Sequence, residues 1–259
     1  MTGATNEQLR ARYVIDRLFV DGEVNAVYTH EDRMLIAGAV PGAQTLEIPA
    51  WDVVGTAGPL DRRELGIVNI GGTGEVLIDG AVYKLGQLDA LYVGRGSHVQ
   101  MRGEDAAFYL VSATADVTHP TGQFSRDTVI PMEIGDPKDA SARSLYRYVT
   151  GGTHPSCQLQ FGVTVIAEGS VWNTMPPHVH GRRTEVYLYT GLRESARIVH
   201  LMGEPGATRH LVLSDRQAVI SPPWSVHAGV GTASYAFVWA MAGENTDYSD
   251  LCGVPLENL

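Results

Sequence analysis

Along most of this chain, apolar residues come in short runs, each closed by a cluster of Gly, Pro, Asp or Ser. RMLIAGAV (33–40) leads into PGAQ, GIVNI (66–70) into GGTG, EVLIDG (75–80) into AVYKLG, and ALYVG (90–94) into RGSHVQM. The same rhythm returns in FGVTVIAEGS (161–170), EVYLYTGL (185–192), ARIVHLMGEPG (196–206), HLVLSDRQAVISPPW (210–224) and YAFVWAM (235–241). β-Branched and aromatic residues dominate these runs, and few windows hold a helical period. That is the signature of many short strands joined by tight turns, as in a sandwich or barrel. One short helix is expected over 6–19. The expected fold class is all-β, with few short helices.

The pattern also repeats. DRRELGIVNIGG (61–72) resembles GRRTEVYLYTGL (181–192), and QLDALYVGRGSHV (87–99) resembles RQAVISPPWSVHAGV (216–230). Two similar β-barrel modules follow: residues 1–130, a connection over 131–149, and residues 150–259.

Chemistry concentrates in the second module. In WNTMPPHVHGRRTEVYLY (172–189), His178 and His180 are two residues apart, so on a strand both imidazoles share a face. GRRT reads as a turn, and a hairpin would return Glu185 beside them. His227, at a strand start after the Pro222-Pro223 turn, is the natural fourth ligand. Three imidazoles and a carboxylate suit Zn²⁺, Fe²⁺, Mn²⁺ or Ni²⁺ and leave a position open for water or substrate. The competing reading is chance, since 9 histidines make an H-x-H pair unremarkable by itself. The other six (His30, His98, His119, His154, His200 and His210) read as surface or core residues. Aligning the repeated Arg pairs puts Gly58, Leu60 and Leu65 where His178, His180 and Glu185 stand, so the first module lacks a site and His98 there has no partners.

Composition narrows the partners. The chain has 259 residues and a net charge of −10, which argues against nucleic acid and against anionic membranes. Two cysteines, Cys157 and Cys252, form no CxxC pair. With no signal-like or membrane-spanning apolar run, the expectation is a cytoplasmic protein.

Longer motifs sharpen the picture. VWNTMPPHVHGRRTEVYLY, RQAVISPPWSVHAGVGT and MAGEN, with RRELGIVNIGG and DALYVGRG in the first half, resemble the 5-keto-4-deoxyuronate isomerase family of the cupin superfamily. The resemblance runs from about residue 12 to the end. It implies a double-cupin fold with one zinc per chain on His178, His180, Glu185 and His227. It also implies a ketol-isomerase acting on a uronate-derived small molecule from pectin or related polyuronides, and a homohexamer. A cupin dioxygenase using iron on the same ligands, or a non-enzymatic sugar-acid-binding cupin, remains the alternative.

An isomerase of this kind moves protons and handles a carboxylate. Strand alternation puts Tyr187 and Tyr189 on the face of Glu185, where either can relay a proton; as core aromatics they would do neither. Glu185 itself can act as base if loosely ligated. Arg182, Arg183 and Arg209 are the candidate carboxylate contacts. Solvated turn arginines, or bridges between modules or subunits, are the competing reading, because Arg62 and Arg63 repeat the pair in a half without ligands.

Overall fold

The structure, a computed structural model, describes residues 3–244 and 250–259. Asn245, the last residue of the MAGEN motif, lies outside the described residues. The fold is almost entirely antiparallel β, with a single α-helix among the described residues, Asn6–Tyr13. Thr5 caps that helix by accepting from the Gln8 backbone N–H, while the Gln8 side chain accepts from the Thr5 N–H. The helix is shorter than the expected 6–19. Val14 and Ile15, both β-branched, leave it in extended conformation and pair antiparallel with Val219 and Ala218.

The chain forms two compact units that are not contiguous in sequence. One comprises the N-terminal residues through Asp16, Pro131–Tyr146 and Gly162–Leu259; the other comprises Arg17–Ile130 and Arg147–Phe161. The division expected at 130 and 150 therefore differs from the observed one at three places: the residues through Asp16 join the 162–259 unit, the expected connection over 131–149 is split between the units after Tyr146, and 150–161 belong with 17–130. The N-terminal strand is held by the 218–221 strand, as above. Residues 157–159 are held by Glu64, a fully buried carboxylate that accepts from the backbone N–H of Cys157, Gln158 and Leu159 at 2.7–2.8 Å and from the Tyr92 hydroxyl at 2.6 Å. Four donors on one buried anion satisfy the demand that buried charge be fully hydrogen-bonded.

The unit containing Glu64 has a six-stranded and a four-stranded sheet. Its core holds Leu35, Ile67, Val76, Leu91, Phe108 and Leu110, each at most 2% exposed. Burying a side chain of this size contributes about 1.5–3 kcal/mol. Gly74–Ile78 and Ala81–Leu85 form a hairpin across Asp79-Gly80, both at positive φ, as the twist of a two-residue turn requires. Leu60 and Leu65, which stand in the repeat where the other unit has His180 and Glu185, are buried in this core.

The second unit carries a seven-stranded sheet in which Arg183–Thr190 lies between Ala218–Ser221 and Ala236–Gly243. A four-stranded sheet places Val226–Gly231 beside Ile198–Gly203. A two-stranded ribbon pairs His178–His180 with Leu251–Gly253. The expected hairpin between 178–180 and 183–190 is thus absent. Gly181 and Arg182 turn the chain out of the ribbon and into the large sheet, whose Arg183–Thr190 strand is buried throughout.

Candidate metal centre

Three strands from three sheets bring the site together. His178 and His180 come from the ribbon, Glu185 from the centre of the large sheet and His227 from the second residue of the 226–231 strand. Ser225 N–H donates to the Pro222 carbonyl at 2.9 Å, closing the turn that sets the entry of that strand. The four donor atoms lie within 4.8 Å of one another. His227 Nε2 is 2.8 Å and His180 Nε2 3.1 Å from Glu185 Oε2, and the Nε2 atoms of His227 and His178 are 3.2 Å apart. His180, Glu185 and His227 are each at most 4% exposed.

The donor set fits a divalent cation. All three imidazoles aim Nε2 at the same point, and two of them turn Nδ1 away toward fixed acceptors. His180 Nδ1 faces Asp250 Oδ1 at 3.2 Å, and His227 Nδ1 faces the Ser225 carbonyl at 3.3 Å. Those acceptors select the Nδ1–H tautomer and leave the Nε2 lone pair free, which is how metal-binding histidines are oriented. Asp250 Oδ1 also accepts from Arg183 Nη2, so one carboxylate ties a ligand to the large sheet.

The electrostatics agree with this. Burial, reinforced by His227, lowers the His178 pKa to about 3, so its ring is neutral and available as a ligand near neutrality. Burial alone would raise the Glu185 carboxyl, but His227 and His180 outweigh it and draw the group below the usual carboxylate range. An ionised Glu185 is suited to holding a cation.

Three of the four, His178, His180 and Glu185, sit in the wall of a cavity of about 350 Å³, lined also by Arg143, Thr174, Met175, Tyr187, Phe237 and Trp239. Tyr187 reaches it and shares a 2.8 Å hydrogen bond with Thr174 Oγ1. Thr174 donates to Asn173 Oδ1 at 3.0 Å, so the Tyr187 O–H is the donor to Thr174. Thr174 is held at φ +53°, in the left-handed region that costs a β-branched residue energy.

The other sequence candidates sit elsewhere. Tyr189 is fully buried behind Tyr187, its hydroxyl 2.8 Å from His200 Nδ1, and is not part of the cavity wall. The Arg182 side chain is 69% exposed, with Glu244 at 4.0 Å as its partner. Arg183 is 1% exposed and engaged by Asp250. Arg209 donates to the carbonyls of Ala207 and Thr208 in the four-stranded sheet, away from the cavity. Asp250, Thr174 and Arg143 went unread in the sequence. Asp250 and Arg143 carry no local motif, whereas Thr174 lies within the WNTMPPHVH stretch, where nothing in the residue type marks it. Trp172 and Trp224 lie outside the cavity, while Met175 contributes to it. His98 is exposed and stands 3.7 Å from Glu47, and the described residues hold no second metal-donor cluster.

The sequence profile of the KduI/IolB family matches residues 14–252. The chain belongs to the KduI/IolB family. A similar protein is the 4-deoxy-L-threo-5-hexosulose-uronate ketol-isomerase of Kineococcus radiotolerans, 48% identical over 99% of this chain and 95% of the relative. Solved structures support the cupin fold. An IolB-like protein from Salmonella typhimurium superposes with a TM-score of 0.73 at 13% identity, covering 91% of this chain and 94% of the other. A Cupin 2 conserved barrel domain protein from Leptotrichia buccalis superposes at 0.51 and 10% identity, over 88% and 95%. This KduI/IolB chain is therefore an all-β double cupin.

Proposed function

We propose that this chain is a metal-dependent ketol-isomerase that converts 4-deoxy-L-threo-5-hexosulose uronate to 3-deoxy-D-glycero-2,5-hexodiulosonate in the breakdown of pectin and related polyuronides. The observation that carries the reading is the convergence of three Nε2 atoms and one carboxylate oxygen beside a cavity that Tyr187 also lines, in a chain 48% identical to a relative of that name. Zinc is the proposed metal, one per chain, since three neutral imidazoles and one carboxylate suit it. The proposed setting is cytoplasmic and the proposed assembly a homohexamer. The two cysteines are unpaired, in keeping with a reducing compartment.

The reaction moves one hydrogen from C2 to C1 and another between the two oxygens, turning an aldehyde with a neighbouring hydroxyl into a ketone with a neighbouring hydroxyl. A divalent cation held by His178, His180, Glu185 and His227 supplies a Lewis acid where negative charge develops. Asp250 and the Ser225 carbonyl fix two of the imidazoles, so the site needs no rearrangement as charge grows. Tyr187 Oη carries the proton between the substrate oxygens: its O–H turns from Thr174 Oγ1 to donate to one while the phenol oxygen accepts from the other. Phe237 and Trp239 keep that end of the cavity apolar and limit water.

The test is proton NMR of the metal-loaded protein with 4-deoxy-L-threo-5-hexosulose uronate. Loss of the C1 aldehyde (or hydrate) signal with growth of a C1 methylene adjoining a ketone supports the reading. Unchanged substrate, or consumption of oxygen in its place, overturns it. Tyr187→Phe keeps its metal and loses about 10²–10⁴-fold in kcat, the usual contribution of a positioned proton carrier.

A further inference from the structure

The substrate class brings a carboxylate into an acidic protein, and none of the three arginines picked from the sequence faces the cavity. Arg143 does. It lies at the start of the Arg143–Val149 strand and is 8% exposed. Its guanidinium is anchored on two sides: Nη1 donates to the Ser141 carbonyl at 2.8 Å and Nη2 to the Met175 carbonyl at 2.9 Å. Both acceptors are neutral. Its side-chain hydrogen bonds go to those two carbonyls, no carboxylate of the described residues pairs with it, and it is the one Lys or Arg among the described residues lining the cavity.

A buried guanidinium without a counter-ion is a costly arrangement. Burial lowers the Arg143 pKa, and the groups that act in the opposite sense are Tyr187 and Tyr235, phenols rather than acids. Five N–H groups sit on a guanidinium and the two carbonyls occupy two, leaving three; a carboxylate takes two in a bidentate contact. The Met175 carbonyl that fixes Arg143 lies between Thr174, which holds Tyr187, and the turn that leads to His178. The cation, the proton carrier and the metal ligands are thus parts of one wall.

We propose that Arg143 is the carboxylate anchor of this cavity: it binds the C6 carboxylate of an open-chain uronate while C1 and C2 lie at the metal centre. The proposal rests on the isomerase reading for the identity of the substrate, and for the residue on a buried guanidinium with no carboxylate partner among the described residues. Arg143 is then the specificity determinant that separates an acidic sugar derivative from a neutral one of the same length.

The experiment compares the substrate with its C6 carboxamide on metal-loaded wild type, Arg143→Lys and Arg143→Met, measuring kcat and KM together with calorimetric binding, metal content and melting temperature. Wild type prefers the carboxylate, and Arg143→Met raises KM for it by about 10- to 100-fold with kcat much less affected, as expected for a lost charge-assisted contact. KM for the carboxamide is nearly unchanged, so the preference collapses. Arg143→Lys retains a charge and the long stem, keeps the fold, and loses the bidentate part of the preference. Equal discrimination in wild type and both variants overturns the proposal while leaving the isomerase intact. If wild type turns over neither compound, the isomerase reading fails, and calorimetry still decides: tighter binding of the carboxylate that vanishes in Arg143→Lys upholds the anchor, and equal binding of acid and amide by wild type removes it.

Discussion

Asp250 joins the metal centre to the framework that holds it, and removing its carboxylate tests whether that link matters. Its Oδ1 meets both His180 Nδ1 and Arg183 Nη2, with side-chain exposures of 3% for His180, 1% for Arg183 and 13% for Asp250. In Asp250→Ala, His180 loses the acceptor that fixes its tautomer, and metal affinity falls by about 10- to 100-fold. The same change removes one charged partner of a buried guanidinium, and deleting a partner of a buried pair costs about 3–5 kcal/mol. The lower end applies here because Asp250 is itself partly exposed and Arg183 retains other contacts. For a chain of this length about 3 kcal/mol corresponds to a fall of roughly 6–12 °C in melting temperature. Asp250→Asn keeps an acceptor oxygen and falls between the two. Competition with a chromophoric chelator reads the affinity, and calorimetry of the metal-free protein reads the stability separately. Wild-type affinity and wild-type melting in Asp250→Ala would refute the argument that this carboxylate orients His180 and balances Arg183.

Other consequences are equally direct. Glu64→Gln places an amide against three backbone N–H donors, so it destabilises by about 1–3 kcal/mol or more while metal content stays at the wild-type value; unchanged urea denaturation would contradict this. A Cβ at Gly162 would collide with the Tyr146 carbonyl and the Trp239 ring, so Gly162→Ala costs about 1–3 kcal/mol and disturbs the cavity wall that Trp239 forms. His200 is fully buried, and burial lowers its pKa to about 3. The unfolded chain therefore binds more protons than the fold below about pH 6.5, and stability falls with pH from there towards pH 3, by up to about 1.4 kcal/mol per pH unit. Melting of metal-free His200→Gln across that range is expected to show a shallower pH slope than wild type.

How much of this was legible in the sequence depends on the reach of each interaction. The strands could be read because alternation and turn residues are local: Asp79-Gly80 announces its hairpin, and the His178–Val179–His180 spacing puts two imidazoles on one face. Glu185 and His227 were legible as chemistry, but their route into the site was not. The ribbon partner of 178–180 is Leu251–Gly253, more than 70 positions along the chain, and no local period records that pairing. Asp250 and Arg143 act through single long-range contacts, so they look like any other charged residue in sequence. Arg182 and Arg183 illustrate the converse. Adjacent in a motif, they point to opposite fates, one in solvent and one buried against Asp250, because successive residues at a strand start face opposite ways. The unit boundaries were hidden for the same reason, since the exchange of 147–161 depends on Glu64 capturing a segment 93 positions away.

The central claim is that turnover depends on a divalent cation held by His178, His180, Glu185 and His227. The direct measurement strips the protein with a chelator, restores zinc in steps, and records bound metal and isomerisation of 4-deoxy-L-threo-5-hexosulose uronate on the same samples, with His178→Ala/His180→Ala alongside. The account predicts activity that is lost with the metal, returns in proportion to bound zinc up to one ion per chain, and stays absent in the variant. Full turnover by metal-free protein, or by the variant without bound metal, would contradict it.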